Sequence, residues 1–535
     1  MITRRRALQA GLAAVGGLTL AACDTASNGG MTHDMPTDGS AGSSPATSVA
    51  PAPVPPPGPE LTFPAVLTST AGVLTTTLEP RQAVVDIGVG RPVTTYTYGG
   101  TIPGPTLDVR GGDVLEVHLA NRLPELPADE HMVHLYRPHQ WTTTNLHTHG
   151  LHVSPAGNGD NPFVSVEPGA DFDYRIELPA DHSAGLYWYH PHRHGAVCQQ
   201  IRGGMAGAII VRGDIDEVPE IKAAAERLMV LQAIELGEDY TLEDPIPEPT
   251  KEQSFYPRSQ IFWTVNGTMN PTITMYPGEV QRWRIANAAE GKLAGLTLTD
   301  HAFNVIAWDG LTLKAPVASD TVELSPANRV EVLITAGKPG TYLLTLQPGS
   351  SQHPNMIDPG MQTPVDRTTT GELEPRTVAT IVVTGEGPAM SLPTALPAYD
   401  LPILPIARSR TVRYTVKRDA NGEFQSFGID DTPFDDANPP YQIPLGTAEE
   451  WTVVNDSDDQ HVHSFHIHVN PFKVTAIDGV ALAEPTWWDT FLLPAAKGGS
   501  FTFQSNFVDF AGKYVEHCHV VSHEDLGMME AIEVV

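Results

Sequence analysis

The chain has 535 residues, of which 41% are hydrophobic and 18% are charged, and its formal net charge is -31. A nucleic-acid partner is excluded because the summed negative field of the protein would repel a polyanion. The length exceeds what one hydrophobic core supports, and 47 glycines and 48 prolines favour many turns between short strands. An all-β protein of several domains is therefore predicted. The acidic balance either favours cationic substrates or only keeps an exported protein soluble.

The first 23 residues have the features of an export signal. Three arginines at 4–6 precede an apolar stretch at 7–22 that is too short and too weakly hydrophobic for a stable membrane-spanning helix. This pattern resembles a twin-arginine export signal, and its end, LAAC at 20–23, resembles a bacterial lipoprotein box. We expect an exported protein of the periplasm or cell envelope that is tethered to the membrane through a lipidated Cys23. The alternative is a plain signal that is cleaved.

One pattern of 18 residues occurs three times along the chain. Each copy has a proline-containing extended start, a glycine at its ninth position, an apolar residue at its fourteenth position and a final asparagine, and the copies align without a gap. The residues after the glycine alternate between apolar and polar, which is typical of a strand with one buried face. Three copies of one β-sandwich domain are therefore predicted. The copies span 104–121, 270–287 and 438–455.

The spacing of these copies divides the chain into a leader, a tether and three domains. The tether is rich in Pro, Ser, Ala and Gly and has too few apolar residues to fold. The stretch from Glu220 to Glu235 is the best helical candidate and either belongs to the second domain or only connects two domains. The predicted segments are 1–23 for the export signal, 24–60 for the tether, 61–213 for the first domain, 214–395 for the second domain and 396–535 for the third domain.

The cysteine count argues against a disulfide framework. The chain contains Cys23, Cys198 and Cys518 only, although an exported protein enters an oxidising compartment. Cys198 lies in a mixed polar and glycine-rich stretch, without another cysteine at a suitable spacing. We expect Cys198 to be a buried free thiol.

Ten of the 21 histidines fall into four short clusters, and all four clusters lie in the first and third domains. In a strand, residues i and i+2 point to the same face about 6.5 to 7 Å apart, so a His-x-His pair presents two imidazoles on one side. Eight imidazoles exceed what one ion can use and suit several copper ions, which neutral imidazole binds well. The first and third domains must then pack together around a copper cluster. The eight residues are His147, His149, His190, His192, His466, His468, His517 and His519.

The remaining ligand types predict a second, different copper site. Cys518, His523 and Met528 place a thiolate, an imidazole and a thioether on one loop, and His463 can add a second imidazole. Two histidines, a cysteine and a weak axial methionine are the ligands of a blue-copper electron-transfer site. Alternation along the strand sends Cys518 to one face and its two histidine neighbours to the other, so a covalent path joins the two sites. The histidines expected to lie beside these sites or at the surface are His152, His194 and His461.

These motifs resemble those of the bacterial laccase-like multicopper oxidases. The matching segments are HTHG at 147–150, YHPHRHG at 189–195, HSFHIH at 463–468 and HCHVVSHEDLGMM at 517–529. The resemblance covers the chain after the tether and implies three consecutive cupredoxin-like domains, each a Greek-key β-sandwich. One departure is Ser464, which stands where many relatives carry proline, and no ligand is lost there.

The resemblance also implies the roles of single residues. It implies four copper ions, namely one type 1 ion, one type 2 ion and a type 3 pair. Glu524 and Asp160 are expected to deliver protons to the cluster, the alternative being that they orient ligands or lie at the surface. The implied ligands are His463, Cys518, His523 and axial Met528 for type 1 copper, His147 and His466 for type 2 copper, and His149, His190, His192, His468, His517 and His519 for the type 3 pair.

The implied activity is the one-electron oxidation of a small reductant coupled to the four-electron reduction of dioxygen to water. The reductant is expected to be a phenol, an aromatic amine or a metal ion. One alternative is a cuprous oxidase in copper tolerance, which is less favoured because the chain lacks a long methionine-rich insertion. Another is a copper-binding protein without turnover. A copper nitrite reductase is disfavoured because that two-domain family lacks the full eight-histidine cluster.

Overall fold

A computed structural model describes residues 57–126, 139–242, 260–347, 376–422, 424–457 and 462–535. The predicted export signal with Cys23, most of the predicted tether and His461 lie outside these ranges. The described residues are mainly strands, with only three short α-helices and one 3-10 helix, so the all-β prediction is confirmed. In these ranges no helix has the length and apolar character needed to cross a membrane.

The N-terminal sandwich contains ten strands. They are β1 (Val66–Thr68), β2 (Val73–Leu78), β3 (Pro80–Val85), β4 (Val93–Tyr98), β5 (Thr106–Arg110), β6 (Val114–Ala120), β7 (His147–His149), β8 (Asp171–Glu177), β9 (Gly185–His190) and β10 (Gly207–Arg212). A five-stranded sheet with the order β1-β5-β10-β9-β7 packs on a three-stranded sheet with the order β2-β6-β8, and β3 pairs with β4. Apolar side chains from both sheets, among them Leu107, Val117 and Tyr174, fill one core.

Within the described ranges, the middle and C-terminal sandwiches each contain eleven strands. The middle strands are β11 (Ala225–Leu236), β12 (Gln260–Val265), β13 (Thr272–Met275), β14 (Val280–Asn287), β15 (Ala294–Leu298), β16 (Phe303–Trp308), β17 (Leu311–Ser319), β18 (Thr321–Leu324), β19 (Arg329–Thr335), β20 (Gly340–Leu346) and β21 (Arg376–Val383). The C-terminal strands are β22 (Ile406–Arg418), β23 (Phe424–Ile429), β24 (Gln442–Ile443), β25 (Thr447–Asn455), β26 (Ser464–Ile467), β27 (Phe472–Ile477), β28 (Val480–Trp488), β29 (Thr490–Leu492), β30 (Ser500–Phe507), β31 (Gly512–Cys518) and β32 (Met529–Val534).

These two sandwiches have the same topology. The middle sheets have the orders β12-β11-β14-β19-β16-β17 and β13-β21-β20-β15-β18. The C-terminal sheets have the orders β23-β22-β25-β30-β27-β28 and β24-β32-β31-β26-β29. Each C-terminal strand therefore corresponds to the strand eleven places earlier in the chain. This agreement is what three copies of one domain predict.

The repeated sequence pattern corresponds to one turn that recurs in all three sandwiches. Its ninth-position glycine follows the first strand of each copy, and Gly112, Gly278 and Gly446 have φ angles of 87°, 79° and 83°. Only glycine adopts this conformation without a steric penalty, which explains why the pattern requires it. The final asparagine of each copy is buried, accepts a hydrogen bond from the backbone N–H two residues further on and donates to carbonyl groups of a separate loop. These asparagines are Asn121, Asn287 and Asn455.

The predicted helix from Glu220 to Glu235 is largely wrong. The α-helices are α1 (Val197–Gly203), α2 (Pro219–Ala223) and α3 (Val521–Asp525), and the 3-10 helix is Asp214–Glu217. The alanines and charges at 223–226 favour a helix by local propensity. However, residues 228–236 are all buried in β11, which pairs with β14 on one side and β12 on the other. A continuously buried and mostly apolar run of this kind fits a central strand better than a surface helix.

The last residues of the predicted tether, before its boundary at residue 60, form backbone hydrogen bonds with the middle sandwich. The carbonyl of Pro59 accepts a hydrogen bond from the N–H of Thr272, and the N–H of Leu61 donates to the Thr272 carbonyl, both at 2.7 Å. The chain at Glu60 therefore runs parallel to β13, an edge strand of the middle sandwich. An extended segment can satisfy the free backbone groups of an edge strand without a core of its own.

Candidate metal centres

Eight buried histidines converge where the N-terminal and C-terminal sandwiches meet. All eight are at most 2% exposed. β7 pairs with β9 so that His147 lies opposite His190, and β26 pairs with β31 so that His466 lies opposite His517. The two strand pairs face each other, and His147 stacks on His468 with a centroid distance of 4.0 Å. The structure thus brings together all eight imidazoles that the His-x-His spacing singles out.

The distances between ring nitrogens divide these histidines into three sets. Nε2 of His192 lies 3.1 Å from Nε2 of His468 and 3.1 Å from Nε2 of His517, so three nitrogens converge on one point. In each set the ring nitrogens lie within 4.8 Å of one another, which is close enough to share an ion. The sets are His149, His190 and His519; His192, His468 and His517; and His147, His466 and His468.

The hydrogen bonding of the ring nitrogens indicates whether the cluster suits a metal. Nε2 of His147, His149, His190 and His466 is buried and has no hydrogen-bond partner within the described ranges. Such a nitrogen costs free energy unless an ion or another group binds to it. The other ring nitrogen is held by the protein in several cases, as where Nδ1 of His190 donates to the carbonyl of Pro191 at 2.7 Å. Metal-binding histidines are typically held in this way.

Burial favours the neutral form of several of these imidazoles, which is the form that binds copper. It lowers the pKa of His190 to about 3 and the pKa of His192 to about 4. Burial, together with repulsion from neighbouring imidazoles, lowers the pKa of His147 and the pKa of His149 well below the ordinary value of 6.5. The residues present therefore fit a group of copper ions in both geometry and charge.

Asp160 and Glu524 contact the outer side of the cluster. The carboxylate of Asp160 accepts from Nδ1 of His147 at 2.9 Å and from the N–H of Thr148 at 2.8 Å, and burial raises the pKa of Asp160 to about 7. Glu524 lies 3.1 Å from Nδ1 of His517. Burial raises the pKa of Glu524, but the neighbouring His192 and His517 outweigh this effect and hold it at about 2. Both carboxylates therefore orient imidazoles, and their part in proton delivery stays a prediction.

The thiolate site lies on the other side of β31. Sγ of Cys518 is 3.6 Å from Nδ1 of His463 and 3.7 Å from Nδ1 of His523. Burial raises the pKa of the Cys518 thiol to about 12, against the opposing effect of backbone N–H groups. A metal ion would reverse this preference, because a coordinated thiol loses its proton. Met528 is buried in the same core, and its backbone carbonyl accepts a hydrogen bond from the Cys518 N–H at 3.0 Å.

Other residues singled out in the sequence lie outside the two sites. His152 binds the carbonyl of Val469 through Nδ1 at 2.8 Å, and His194 is buried against Phe434, so neither histidine joins the cluster. Cys198 is buried in α1 and forms no disulfide within the described ranges, as predicted, and its thiol donates to a carboxylate oxygen of Glu290 at 3.4 Å.

Ser464 has a structural partner of its own. Its hydroxyl lies 3.0 Å from the hydroxyl of Ser325 and donates to the carbonyl of Pro326 at 3.2 Å. Both partners belong to the segment just before β19 of the middle sandwich. A proline at position 464 could not make these bonds, so the serine adds a contact between the middle and C-terminal sandwiches beside the cluster.

The sequence reasoning missed a group of charged residues that touches the cluster. Asp309 and Arg329 come from the middle sandwich and Asp489 from the C-terminal sandwich, and all three are buried. Nη1 of Arg329 lies 3.3 Å from Nδ1 of His149, and the backbone carbonyl of Asp489 accepts from Nδ1 of His466 at 2.7 Å. No local spacing marks these residues, because the three segments meet only in the folded protein.

Three regions of the chain match family models described as multicopper oxidase, at residues 81–215, 237–370 and 405–535. Over 488 residues the chain is 24% identical to a multicopper oxidase of Staphylococcus aureus, and the aligned region covers 89% of this chain and 92% of that protein. Over 495 residues it is 27% identical to a laccase of Bacillus stratosphericus, covering 83% of this chain and 91% of that protein. The solved structure of a Campylobacter jejuni multicopper oxidase, described as a metallo-oxidase, gives a TM-score of 0.72 at 25% identity and covers 90% of this chain and 96% of that chain.

The matched regions include both candidate sites. The region at 81–215 contains the histidines of β7 and β9, and the region at 405–535 contains those of β26 and β31 together with Cys518. The copper-binding character of the two sites agrees with this match, and the resemblance seen in the motifs is confirmed. The chain belongs to the multicopper oxidase family, whose members are copper-dependent oxidoreductases that pass electrons from a reducing substrate to dioxygen.

Proposed function

We propose that this multicopper oxidase binds four copper ions and couples the one-electron oxidation of phenols, aromatic amines or metal ions to the four-electron reduction of dioxygen to water. The observation that carries the proposal is the position of Cys518. Its sulfur faces His463 and His523, whereas its neighbours in the chain, His517 and His519, belong to the eight-histidine cluster. One stretch of backbone therefore joins an electron-entry site to an oxygen-reduction site.

Each proposed ion has its own ligand set. Two imidazoles, one thiolate and one thioether would hold the type 1 ion, and one imidazole from each terminal sandwich would hold the type 2 ion. The type 3 pair takes the two sets of three histidines whose nitrogens lie close together. The proposed ligands are His463, Cys518, His523 and Met528 for type 1, His147 and His466 for type 2, and His149, His190 and His519 with His192, His468 and His517 for the type 3 pair.

Bound copper supplies one-electron exchange at the thiolate site and the reduction of dioxygen at the cluster. The chain excludes bulk water from the cluster, because every proposed ligand of the cluster is buried. Reducing one dioxygen molecule to two waters consumes four protons. The carboxylate of Asp160 accepts from Nδ1 of His147, and a carboxylate oxygen of Glu524 lies 3.1 Å from Nδ1 of His517. We assign proton transfer towards the cluster to these two residues.

The surface next to the thiolate site carries negative charge. Phe427 stacks on His523 with a centroid distance of 4.0 Å, and the loop at 428–438 is attached to the thiolate loop where the Phe434 N–H donates to the Gly527 carbonyl at 3.1 Å. Exposed carboxylates attract cations, so this loop favours metal ions among the reductants. A metal-oxidising role, including a cuprous one, is the second candidate. The exposed aspartates are Asp430, Asp431, Asp435 and Asp436.

Copper loading followed by a panel of reductants tests this proposal. We expect close to four copper ions per chain, an intense visible band from the sulfur-to-copper transition, and oxygen uptake with an aromatic amine, a phenol, Fe(II), Mn(II) or Cu(I). Faster uptake with Cu(I) than with every aromatic donor would favour the cuprous role. A blue protein that consumes no oxygen with any of them would contradict catalysis and support a copper-binding role without turnover.

We also propose that the protein is exported and anchored to the cell envelope through a lipid on Cys23. The support is the arginine-led apolar stretch that ends in LAAC at 20–23. Metabolic lipid labelling of the parent and a Cys23→Ala variant tests the anchor. Labelling of the parent alone is expected, and equal labelling of both would overturn it in favour of a plain cleaved signal.

A further inference from the structure

A buried group of three charges joins all three sandwiches beside the copper cluster. We call Asp309, Arg329 and Asp489 the interdomain charge group. Arg329 donates to both carboxylate oxygens of Asp489, at 2.8 Å through Nη1 and 2.5 Å through Nη2. It also donates to the carbonyl of Asp309 at 3.1 Å and, through Nε, to the carbonyl of Leu186 in β9 at 3.2 Å. The guanidinium therefore binds the N-terminal, middle and C-terminal parts of the chain at once.

The same group contacts histidines of two proposed copper ions. Nη1 of Arg329 lies 3.3 Å from Nδ1 of His149, and the backbone carbonyl of Asp489 fixes Nδ1 of His466 at 2.7 Å. These two imidazoles stack on each other with a centroid distance of 3.9 Å. A single displacement of Arg329 would thus disturb the facing rings of both terminal sandwiches.

The chain is shaped locally to admit this group. Gly150, the last residue of the HTHG motif, has a φ of 84°, and a Cβ there would collide with the carboxylate of Asp489 and the guanidinium of Arg329. The backbone N–H groups of Asp489 and Thr490 both point to Oδ2 of Asp309 at 3.3 Å. Stability alone is a poor reason to bury such charges, since apolar residues often replace a buried ion pair at no cost.

We propose that Arg329 is a positioning residue of the trinuclear copper site: the middle sandwich, whose described residues include no proposed ligand, fixes Asp489 through Arg329, so that the Asp489 carbonyl holds His466 for metal binding while the guanidinium packs beside His149. The inference rests on the proposed function, because it takes these histidines as copper ligands. Outer contacts to ligating histidines typically change metal affinity by tenfold to a hundredfold, a far larger effect than an exposed ion pair has.

The test uses the full chain loaded with copper and compares Arg329→Gln, Arg329→Lys and the parent. Copper affinity is measured by titration with a competing chelator. The visible band reports the loss of the blue ion, and total copper together with electron paramagnetic resonance reports the loss of the other ions. In Arg329→Gln we expect the affinity of the cluster to fall by roughly tenfold to a hundredfold. The blue band should stay, and Arg329→Lys should recover at least part of the loss because it keeps a charged donor.

Arg212→Gln is the matched control, since Arg212 also joins two sandwiches through Asp108 and Glu226 but lies away from the histidines. It should leave the copper affinity of the cluster unchanged. If Arg329→Gln binds copper as the parent does, or if the blue ion and the cluster are lost together, Arg329 is only a structural residue and the inference is overturned. A parent that takes up no copper in either site would instead contradict the proposed function itself.

Discussion

The middle and C-terminal sandwiches share one strand order but differ in chemistry. In the C-terminal sandwich, β26 and β31 place His466 opposite His517. In the corresponding strands of the middle sandwich, β15 and β20, the face turned away from the core places Thr297 opposite Thr345, with their hydroxyls 2.8 Å apart. The topology therefore supplies a pair of positions on neighbouring strands, and the side chains at these positions decide whether the pair becomes part of a copper site.

The middle sandwich uses buried arginines both in its own sheet and beside the copper cluster. The middle sandwich buries Arg282 and Arg284 against Glu331, which holds its own sheet together. A third arginine of the middle sandwich, Arg329, points towards the histidines of the other two sandwiches. The middle sandwich thus contacts the site from outside. Substitutions in the middle and C-terminal sandwiches should therefore distinguish the loss of a ligand from the loss of an outer contact.

The largest effect is expected from Cys518→Ser. A serine hydroxyl is not a soft ligand, so the visible band should disappear and oxygen uptake should fall to the level of the copper-free protein. Absorption spectroscopy and an oxygen electrode measure both. The matched control is Cys198→Ser, because that thiol is buried in α1 outside both sites, and it should keep colour and uptake. Loss of colour in the control alone would contradict our assignment of the thiolate.

The next effect comes from His466→Leu, which removes one imidazole from the cluster. Oxygen uptake should fall by at least about a hundredfold, because a lost ligand exceeds the effect of a lost outer contact. The blue band should remain.

A histidine introduced into the core of the middle sandwich by Leu296→His should bind no further copper. It should lower the free energy of unfolding by about 2 to 5 kcal/mol, since it buries an unpaired imidazole in an apolar core. Copper analysis and denaturant unfolding measure these outcomes. Extra copper bound to the Leu296→His variant would show that topology alone can make a site.

Two tryptophans at the same position of the repeat sharpen the comparison further. Trp283 and Trp451 are both fully buried, and replacing either with alanine should lower the free energy of unfolding by about 3 to 5 kcal/mol. Only Trp451 lies in the core that also contains Cys518. The visible band should therefore shift in Trp451→Ala and stay unchanged in Trp283→Ala, and a shift in both would contradict the separation of the two cores.

The smallest effect concerns Asp160 in the copper-free protein. Burial raises its pKa to about 7 in the folded state, whereas an unfolded aspartate titrates near about 4. Between these values the unfolded chain loses a proton that the folded chain keeps, so this residue makes stability fall as the pH rises from about 4 to about 7. When the pH rises from 4.5 to 8, the free energy of unfolding should fall by about 2 to 4 kcal/mol less in the Asp160→Asn variant than in the parent. Denaturant unfolding at the two pH values measures this, and equal losses would contradict the raised pKa.

Local patterns predicted most of the fold and most of the candidate site. The alternating residues after Gly112, Gly278 and Gly446 are strands in all three copies, because a left-handed glycine turn and one buried face are both visible in a short segment. The helix predicted from Glu220 to Glu235 failed where local propensity opposed tertiary packing. An alanine-rich start favours a helix, but a central position between two strands buries every later side chain.

The sequence by itself determined which residues offer metal ligands, because i and i+2 spacing along a strand is a local property that needs no neighbour. It also determined that Cys518 and its two histidine neighbours face opposite ways. Only the tertiary structure decided how the eight histidines divide into sets, and that Arg329 reaches His149 from the middle sandwich, whose described residues include no proposed ligand. These contacts join strands more than a hundred residues apart, and side-chain packing between domains leaves no periodic trace in the chain.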